Sequence, residues 1–299
     1  MSDGAGILGP ALAIKEGTTT RREQLTAHKA SHSQLTRHPT HNSQGIMAYT
    51  NSYKAPVIPP LLPGYYGPDP HDINWIMPLH EATLESDCVK LTPFIPSLHA
   101  KEYAKQVAAH PELHRYMPLD PSNLDEILTT YEHLVRHQPT NTLFAIIDKA
   151  RGGALAGVIG LFFMSPENLS VEVGWVIVFP SFQRTYVTTN AVGLLLRYSL
   201  EPPSALQRPG LGLRRVQWIA HMANRASQAT AKRMGFEAEG VLRWTGVLPN
   251  AEKEDAIALR HGDLERTRQC RHSVILSLCV DDWESGGREH VQRLIDPRE

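Results

Sequence analysis

The chain has 299 residues, of which 41% are hydrophobic and 20% charged, a composition typical of a folded protein with one or two domains. Its 30 Lys and Arg side chains balance 31 Asp and Glu side chains, so the net charge of −1 argues against binding to nucleic acid or to an anionic membrane. The three cysteines show no Cys-x-x-Cys spacing and no apolar run approaches the roughly 18 to 20 residues of a membrane span, which predicts a soluble protein without disulfides in a reducing compartment such as the cytoplasm.

Residues 1–46 are rich in Ser, Thr, Gln, His and Gly and show no apolar period, which predicts a disordered leader. The leader is mildly basic and begins with an apolar patch from Ile7 to Ile14, so a mitochondrial targeting peptide is an alternative that its acidic residues weaken. Met47 directly precedes the folded pattern and is an alternative start. The histidines of the leader have no preorganised geometry, so no metal site is predicted.

Residues 47–87 form an arm in which aromatic residues, among them Tyr65, Tyr66 and Trp75, are dispersed among prolines. Such a composition predicts an extended, polyproline-like segment. The aromatic side chains either pack along the folded domain as a belt or present a ligand to a partner protein.

The folded core is predicted to begin with a strand from Val89 to Phe94. An amphipathic helix follows from Leu98 to His110 with Ser97 as its N-cap. Asn123 is predicted to cap a second helix, which ends near His137.

Three further strands, Thr142–Asp148, Ala154–Met164 and Ser170–Phe179, are separated by short connections and predict an antiparallel meander. Pro180 ends the last of them, and apolar residues at the spacing of one helical face follow about ten residues later. A loop that leads into a helix presents free N–H groups and the positive end of the helix dipole. We therefore predict an anion site at Gln183 and its neighbours.

The remaining pattern contains strands at Arg215–Ala220, Ala238–Leu242 and His272–Leu278 and a helix between Asn224 and Gly235, its predicted N-cap and C′ residues. Residues 249–271 are densely charged and form either a solvated hairpin loop or an insertion that gates the substrate or contacts a partner. Residues 285–299 are predicted to be a polar helical tail.

Two ordered motifs make the chain resemble the GNAT N-acetyltransferases of the RimJ/RimL-like branch. The coenzyme-A loop of that family, Gln/Arg-x-x-Gly-x-Gly/Ala, is similar to the run from Gln183 to Thr188, although Tyr186 and Thr188 replace both glycines. The family's Asn-x-x-Ser turn and Gly-Phe helix end are similar to Asn224-Arg225-Ala226-Ser227 and Gly235-Phe236. The likeness covers roughly 88–284.

The resemblance implies an α+β fold with α/β/α layers. Its mixed, mostly antiparallel twisted sheet has about seven strands and splays between strands 4 and 5, and about four helices accompany it. It also implies that the pyrophosphate of the coenzyme is held by the loop formed by Gln183, Arg184, Thr185, Tyr186, Val187 and Thr188. The pantetheine arm is expected along the backbone of Val176, Ile177 and Val178.

Asn224 and Ser227 match the family's contacts to the pantetheine and the coenzyme sulfur, although capping of a helix explains both residues equally well. Glu172 is a candidate general base that accepts the amine proton; the alternative is a charge at the surface edge of the strand. Tyr116 and Trp175 are candidate acceptor contacts, and Tyr116 is alternatively a core aromatic residue.

The resemblance therefore predicts an acetyl-CoA-dependent N-acetyltransferase in which a neutral amine attacks the thioester directly in a ternary complex, with no metal. The acceptor is a protein N-terminus or a small amine, and the protein is a monomer or homodimer. A non-catalytic acyl-CoA-binding or partner-binding module is the alternative, because both loop glycines are missing and the arm is rich in proline.

Overall fold

The computed structural model describes residues 50–54, 61–248, 257, 261–262 and 269–295. The chain divides into two compact units, residues 1–59 and 60–299. In the first unit the described residues have no regular secondary structure. The predictions for the leader and for most of the charged segment 249–271 concern residues outside the described ranges.

A seven-stranded sheet forms the centre of the second unit, and its order is β1-β2-β3-β4-β5-β7-β6. The strands are β1 (Val89–Pro93), β2 (Thr142–Asp148), β3 (Ala154–Ser165), β4 (Ser170–Val178), β5 (Arg215–His221), β6 (Glu237–Val247) and β7 (Cys270–Cys279). Neighbouring strands are antiparallel except for the parallel pair β4 and β5. The predicted mixed, mostly antiparallel sheet is confirmed.

Within the described ranges, five helices of eight residues or more accompany the sheet, one more than expected. They are α1 (Pro96–Ala109), α2 (Leu124–Tyr131), α3 (Tyr186–Leu200), α4 (Arg225–Arg233) and α5 (Arg288–Ile295). Helix α5 lies in the segment assigned to the polar tail and buries Val291 and Ile295. A Cβ atom at Gly193 of α3 would collide with Ile295, so this glycine allows the two helices to approach closely. Among the helices that the structure describes, none has the length and apolar character that crossing a membrane requires.

Two helix starts follow directly from the local sequence. The Asn123 side chain accepts a hydrogen bond from the N–H of Glu126 at 3.0 Å, and the Asn224 side chain accepts one from the N–H of Ser227 at 3.1 Å. Both predicted N-caps are confirmed, because each carboxamide oxygen satisfies an N–H group that the helix leaves unpaired.

The predicted N-cap at Ser97 is wrong, since α1 starts before it. Pro96 occupies the first helical turn, where its missing N–H costs nothing and its fixed φ angle suits the helix. Ile95 is therefore at the N-cap, and its N–H donates to Nδ1 of His99 at 2.9 Å.

The pairing between β4 and β5 is short. It joins Ser170–Val173 to Arg215–Trp218 and ends there, whereas Ile177 and Val178 still pair with β3. The backbone of β3 approaches so closely that a Cβ atom at Gly157 would collide with the carbonyl oxygen of Ile177. The second half of β4 therefore stays with β3 while β5 follows β7, and this separation is the predicted splay.

The described part of the arm, residues 61–87, contacts the domain. Several of its apolar side chains pack against the core: Tyr66, Trp75, Met77 and Leu79. The indole N–H of Trp75 donates to the Tyr198 hydroxyl at 3.5 Å, and that hydroxyl donates to the carbonyl of Pro78 at 2.6 Å. These contacts support the interpretation of the arm as a belt.

Removal of the arm should destabilise the domain. A protein that starts at Leu79 loses the Trp75 contacts, and we expect it to melt several degrees lower or to be insoluble. A loss of about 1 kcal/mol shifts the melting temperature of a domain of this size by about 2 to 4 °C. A protein that starts at Met47 should match the full chain in calorimetric melting temperature and coenzyme binding. If both shortened proteins melt like the full chain, the arm is not part of the fold and must be explained as a ligand for a partner.

Candidate active site

Glu172 lies on β4 just before the strands separate. It is paired with Gln217 of β5, whose Nε2 donates to Oε2 of Glu172 at 3.1 Å. A Cβ atom at Gly174 would lie 3.8 Å from Oε1, so the carboxylate extends along β4 toward the splay. Burial raises the pKa of Glu172 to about 7, although the bond from Gln217 and the charge of Arg271 oppose this shift. A carboxylate with a pKa near neutrality is suited to accept a proton from an amine.

Tyr116 lies in the connection between α1 and α2 and contacts two residues of the sheet, Arg271 of β7 and His221 of β5. Its carbonyl oxygen accepts a hydrogen bond from Nη1 of Arg271 at 2.8 Å, and its ring centroid lies 5.3 Å from that of His221. Because Arg271 also acts electrostatically on Glu172, the structure brings both Tyr116 and Glu172 into the surroundings of one guanidinium group. Sequence reasoning missed Arg271, because it is one of many charges in the segment 249–271.

A cavity of about 240 Å³ opens at the carboxyl end of β5. The residues that line it are His221, Met222, Ala223, Arg225, Ile257 and His272. Two of them are neighbours of groups already described, since His221 contacts the Tyr116 ring and His272 follows Arg271 in β7. The cavity therefore lies beside the His221 and Tyr116 pair at the end of β5, and Glu172 is not among its lining residues.

Trp175, the other candidate acceptor contact, is buried. Its indole N–H donates to the Tyr103 hydroxyl at 3.1 Å, and its ring stacks on Phe162 at a centroid distance of 6.1 Å. Strand β4 is irregular at this position, because Trp175 has a φ angle of 50° and the register of pairing with β3 shifts here. The polar atom of this side chain is thus already paired inside the domain.

The predicted coenzyme loop, residues 183–188, ends in the first turn of α3. Thr185 is the N-cap: its hydroxyl accepts from the N–H of Val187 at 3.3 Å and donates to the carbonyl of Phe182 at 2.6 Å. Arg184 is exposed and has a φ angle of 58°, in the region that favours glycine. The first turn of a helix presents N–H groups without intrahelical acceptors, and these groups attract anions.

Tyr186 stands where the family has a glycine, and its side chain is anchored. The hydroxyl donates to the carboxylate of Asp148, at 2.8 Å and 3.0 Å from the two oxygens, and Asp148 is fully buried. Arg151, three residues further along, donates to the carbonyl of Ser181 at 2.9 Å. The turn after β2 therefore braces the coenzyme loop, and Tyr186 offers its backbone N–H rather than its hydroxyl.

The predicted pantetheine surface consists of backbone groups. Beyond Val173, β4 has no pairing with β5, so the edge of Val176 and Ile177 that faces the splay is free of that strand. The carbonyl of Val178 accepts a hydrogen bond from Nε2 of Gln183 at 2.9 Å, which links this strand end to the coenzyme loop. An extended chain of amide groups fits beside such an edge, in the manner of an added strand.

Ser227 and Asn224 lie at the start of α4, directly after β5. The Asn224 side chain caps the helix, as described above. The hydroxyl oxygen of Ser227 accepts a hydrogen bond from the Trp218 indole N–H at 2.9 Å, so its own hydrogen remains available to a further acceptor. Sequence reasoning missed Trp218, which lies nine residues before Ser227.

One group of potential metal ligands occurs in the part of the chain that the structure describes, at Cys279, Asp281 and Asp282. The Asp282 carboxylate accepts a hydrogen bond from the N–H of Cys279 at 2.9 Å. This contact belongs to a capping box at a helical turn, which accounts for the closeness of Cys279 and Asp282.

Comparison with known proteins agrees with the observed fold. The family model described as "Acetyltransferase (GNAT) domain" matches residues 89–237. A solved structure of a probable GNAT-family acetyltransferase from Chromobacterium violaceum ATCC 12472 is 25% identical, covers 78% of this chain and 100% of its own, and has a TM-score of 0.57. A putative acetyltransferase from T. thermophilus is 24% identical over 74% of this chain and 99% of its own, with a TM-score of 0.56. RimJ of Mycobacterium smegmatis, solved in complex with CoA-disulfide, shares the fold at 17% identity, 68% and 88% coverage and a TM-score of 0.50. No curated protein matches the chain.

Proposed function

Because residues 89–237 form a GNAT acetyltransferase domain, we propose that this protein transfers an acetyl group from acetyl-CoA to a primary amine in a ternary complex. The observation that best supports catalysis, rather than binding alone, is the Glu172 carboxylate. Its pKa is raised to about 7 and it lies where β4 and β5 begin to separate. A side chain with these properties is matched to proton removal near neutral pH.

The residues of the splay fit the coenzyme. The N–H groups of the first turn of α3, with Thr185 as cap and Arg184 beside them, would hold the pyrophosphate. The unpaired edge of Val176 and Ile177 would take the amide groups of the pantetheine. Bound acetyl-CoA would supply an activated thioester, so that a C–N bond to the amine forms while the C–S bond breaks.

In this proposal one side chain moves a proton and a second stabilises the leaving group. The Glu172 carboxylate takes one proton from the attacking amine, directly or through water, and this leaves a neutral amide. Ser227 donates a hydrogen bond to the departing sulfur and keeps its proton, while Trp218 holds the oxygen in place. The thiolate leaves and takes a proton from solvent, and the proton on Glu172 passes to solvent, so both side chains return to their starting states.

Substitution of Ser227 should have a modest effect on turnover. Ser227→Ala removes the donor but keeps the backbone N–H that Asn224 caps. We expect kcat to fall by about 3- to 10-fold, less than the roughly 10²-fold or more typical of an obligatory acid, because a thiolate leaves readily without help. Steady-state kinetics measures kcat. Ser204→Ala is the control, because Ser204 is an exposed serine in the loop after α3. An unchanged kcat would exclude Ser227 from catalysis and leave its hydroxyl as a hydrogen-bond partner of Trp218.

Mass spectrometry of the purified protein under native conditions, followed by a panel of amines assayed by thiol release, tests the function. We expect retained CoA or acetyl-CoA and amine-dependent release of thiol. Retained coenzyme without turnover of any amine would favour the non-catalytic acyl-CoA-binding module. A protein that neither retains nor binds acetyl-CoA would refute both proposals.

A cytoplasmic location and a monomeric or homodimeric state remain predictions, which fractionation and light scattering can test.

A further inference from the structure

The guanidinium group of Arg271 has few partners within the site. Arg271 is half-buried near the start of β7, where it lies beside Gly246 of β6. Its Nη1 donates to the carbonyl of Tyr116, whereas its Nε is buried without a hydrogen-bond partner among the described residues. Burial lowers the pKa of Arg271, and the charge of Glu172 opposes that shift. No carboxylate among the described residues lies within ion-pair distance of Arg271. A half-buried cation without such a partner is costly, so the arrangement is suited to a ligand that brings a negative charge.

Glu172 does not neutralise Arg271 by direct contact. Across the described ranges, no pair of nitrogen and oxygen atoms from these two side chains lies within 4.0 Å, although their charges interact. The carboxylate is instead held by Gln217 at 3.1 Å. The site thus presents a negative group and a positive group that are close but separate.

We propose that Arg271 binds a carboxylate of the acceptor, so that the substrate is a small amine with a carboxylate a few bonds away, as in an α-amino acid. This inference rests on the proposed function. Glu172 would face the amine, and Arg271 would face the carboxylate. Guanidinium groups form strong, charge-assisted hydrogen bonds with carboxylates.

The cavity beside His221 agrees with a small acceptor. Its volume of about 240 Å³ is sufficient for the side chain of a small acceptor such as an amino acid. His272, the residue after Arg271, is part of its wall together with Arg225, and none of the described lining residues is acidic. An anionic acceptor therefore meets no like charge in the described part of this wall.

Matched acceptors test the proposal on the full chain. We expect kcat/KM, calculated per concentration of unprotonated amine, to be about 10- to 100-fold higher for alanine than for ethylamine, the range for hydrogen bonds to a charged group. Loss of the guanidinium also raises the pKa of Glu172, so the comparison is made at about pH 9, where this carboxyl is ionised in both proteins. There Arg271→Gln should raise the KM for alanine about tenfold and change the KM for ethylamine less than threefold. Arg271→Lys should restore part of the preference. Arg243→Gln is the control, because Arg243 is an exposed arginine on the neighbouring strand β6.

Product inhibition gives a second test that needs no variant. N-Acetylalanine should inhibit the unaltered enzyme at lower concentration than N-ethylacetamide. Equal use of alanine and ethylamine, or an equal loss for both acceptors in Arg271→Gln, would overturn the role of Arg271 while leaving the acetyltransferase function intact. If no amine of the panel releases thiol, the proposed function fails, and this inference fails with it.

Discussion

Glu172→Gln should lower kcat by roughly 10²- to 10⁴-fold while the Kd for acetyl-CoA changes little, because the amide cannot take the proton of the amine. The coenzyme contacts proposed above are backbone groups and the start of α3, and none of them involves this carboxylate. Stopped-flow or steady-state thiol release measures kcat, and calorimetry measures Kd. Glu237→Gln is the matched control, since Glu237 is exposed on the edge strand β6.

The pH dependence provides an independent check of this role. The general base acts when ionised, so activity of the unaltered protein should rise with pH through about 7, the pKa of Glu172. The deficit of Glu172→Gln should shrink at higher pH, where hydroxide and solvent take over the proton. Activity of Glu172→Gln equal to that of the unaltered protein at pH 6 would contradict the assignment and leave Glu172 as a structural charge.

The stability of the same variant has a predicted sign. The folded pKa of about 7 lies above the ordinary carboxyl value of 4.5, so the folded protein binds this proton more tightly than the unfolded chain does. The resulting stabilisation is complete below the unfolded pKa and is lost as the pH rises through about 7. At pH 8 Glu172→Gln should therefore melt no lower than the unaltered protein, which separates loss of catalysis from loss of fold.

Arg184→Glu should weaken acetyl-CoA binding by about 10- to 100-fold, the scale of a charge-assisted hydrogen bond that is lost and replaced by repulsion. Arg184 is exposed beside the N-terminus of α3, where the helix dipole also favours an anion. Isothermal titration calorimetry measures the effect, and Arg208→Glu, at an exposed position in the loop after α3, controls for the change in net charge.

A second substitution at the same position separates charge from backbone geometry. Arg184→Gly removes the guanidinium and suits the φ angle of 58° better than any other residue does. If the charge contributes to binding, Arg184→Gly should bind acetyl-CoA more weakly than the unaltered protein but more tightly than Arg184→Glu. Unchanged affinity in both variants would move the coenzyme away from α3.

Much of the fold was predictable because its information is local. The meander of β2, β3 and β4 follows from runs of apolar residues between turn residues, and the Asn123 and Asn224 caps lie within three residues of the N–H groups they satisfy. The one cap predicted wrongly, Ser97, was a choice between two adjacent local signals, a serine and a proline, of which the proline decided the helix start.

By itself the sequence determined which segments become strands and helices, and it identified Glu172, Ser227 and the coenzyme loop as candidates. Only the tertiary structure decided the burial, the pKa and the hydrogen-bond partners of these groups. Glu172 has a pKa near neutrality because burial raises it further than the bond from Gln217, 45 residues away, lowers it. Tyr186 is anchored by Asp148 across 38 residues, and Arg271 reaches Tyr116 across 155. Desolvation and contacts between distant strands set these properties, and neither is a function of local residue spacing.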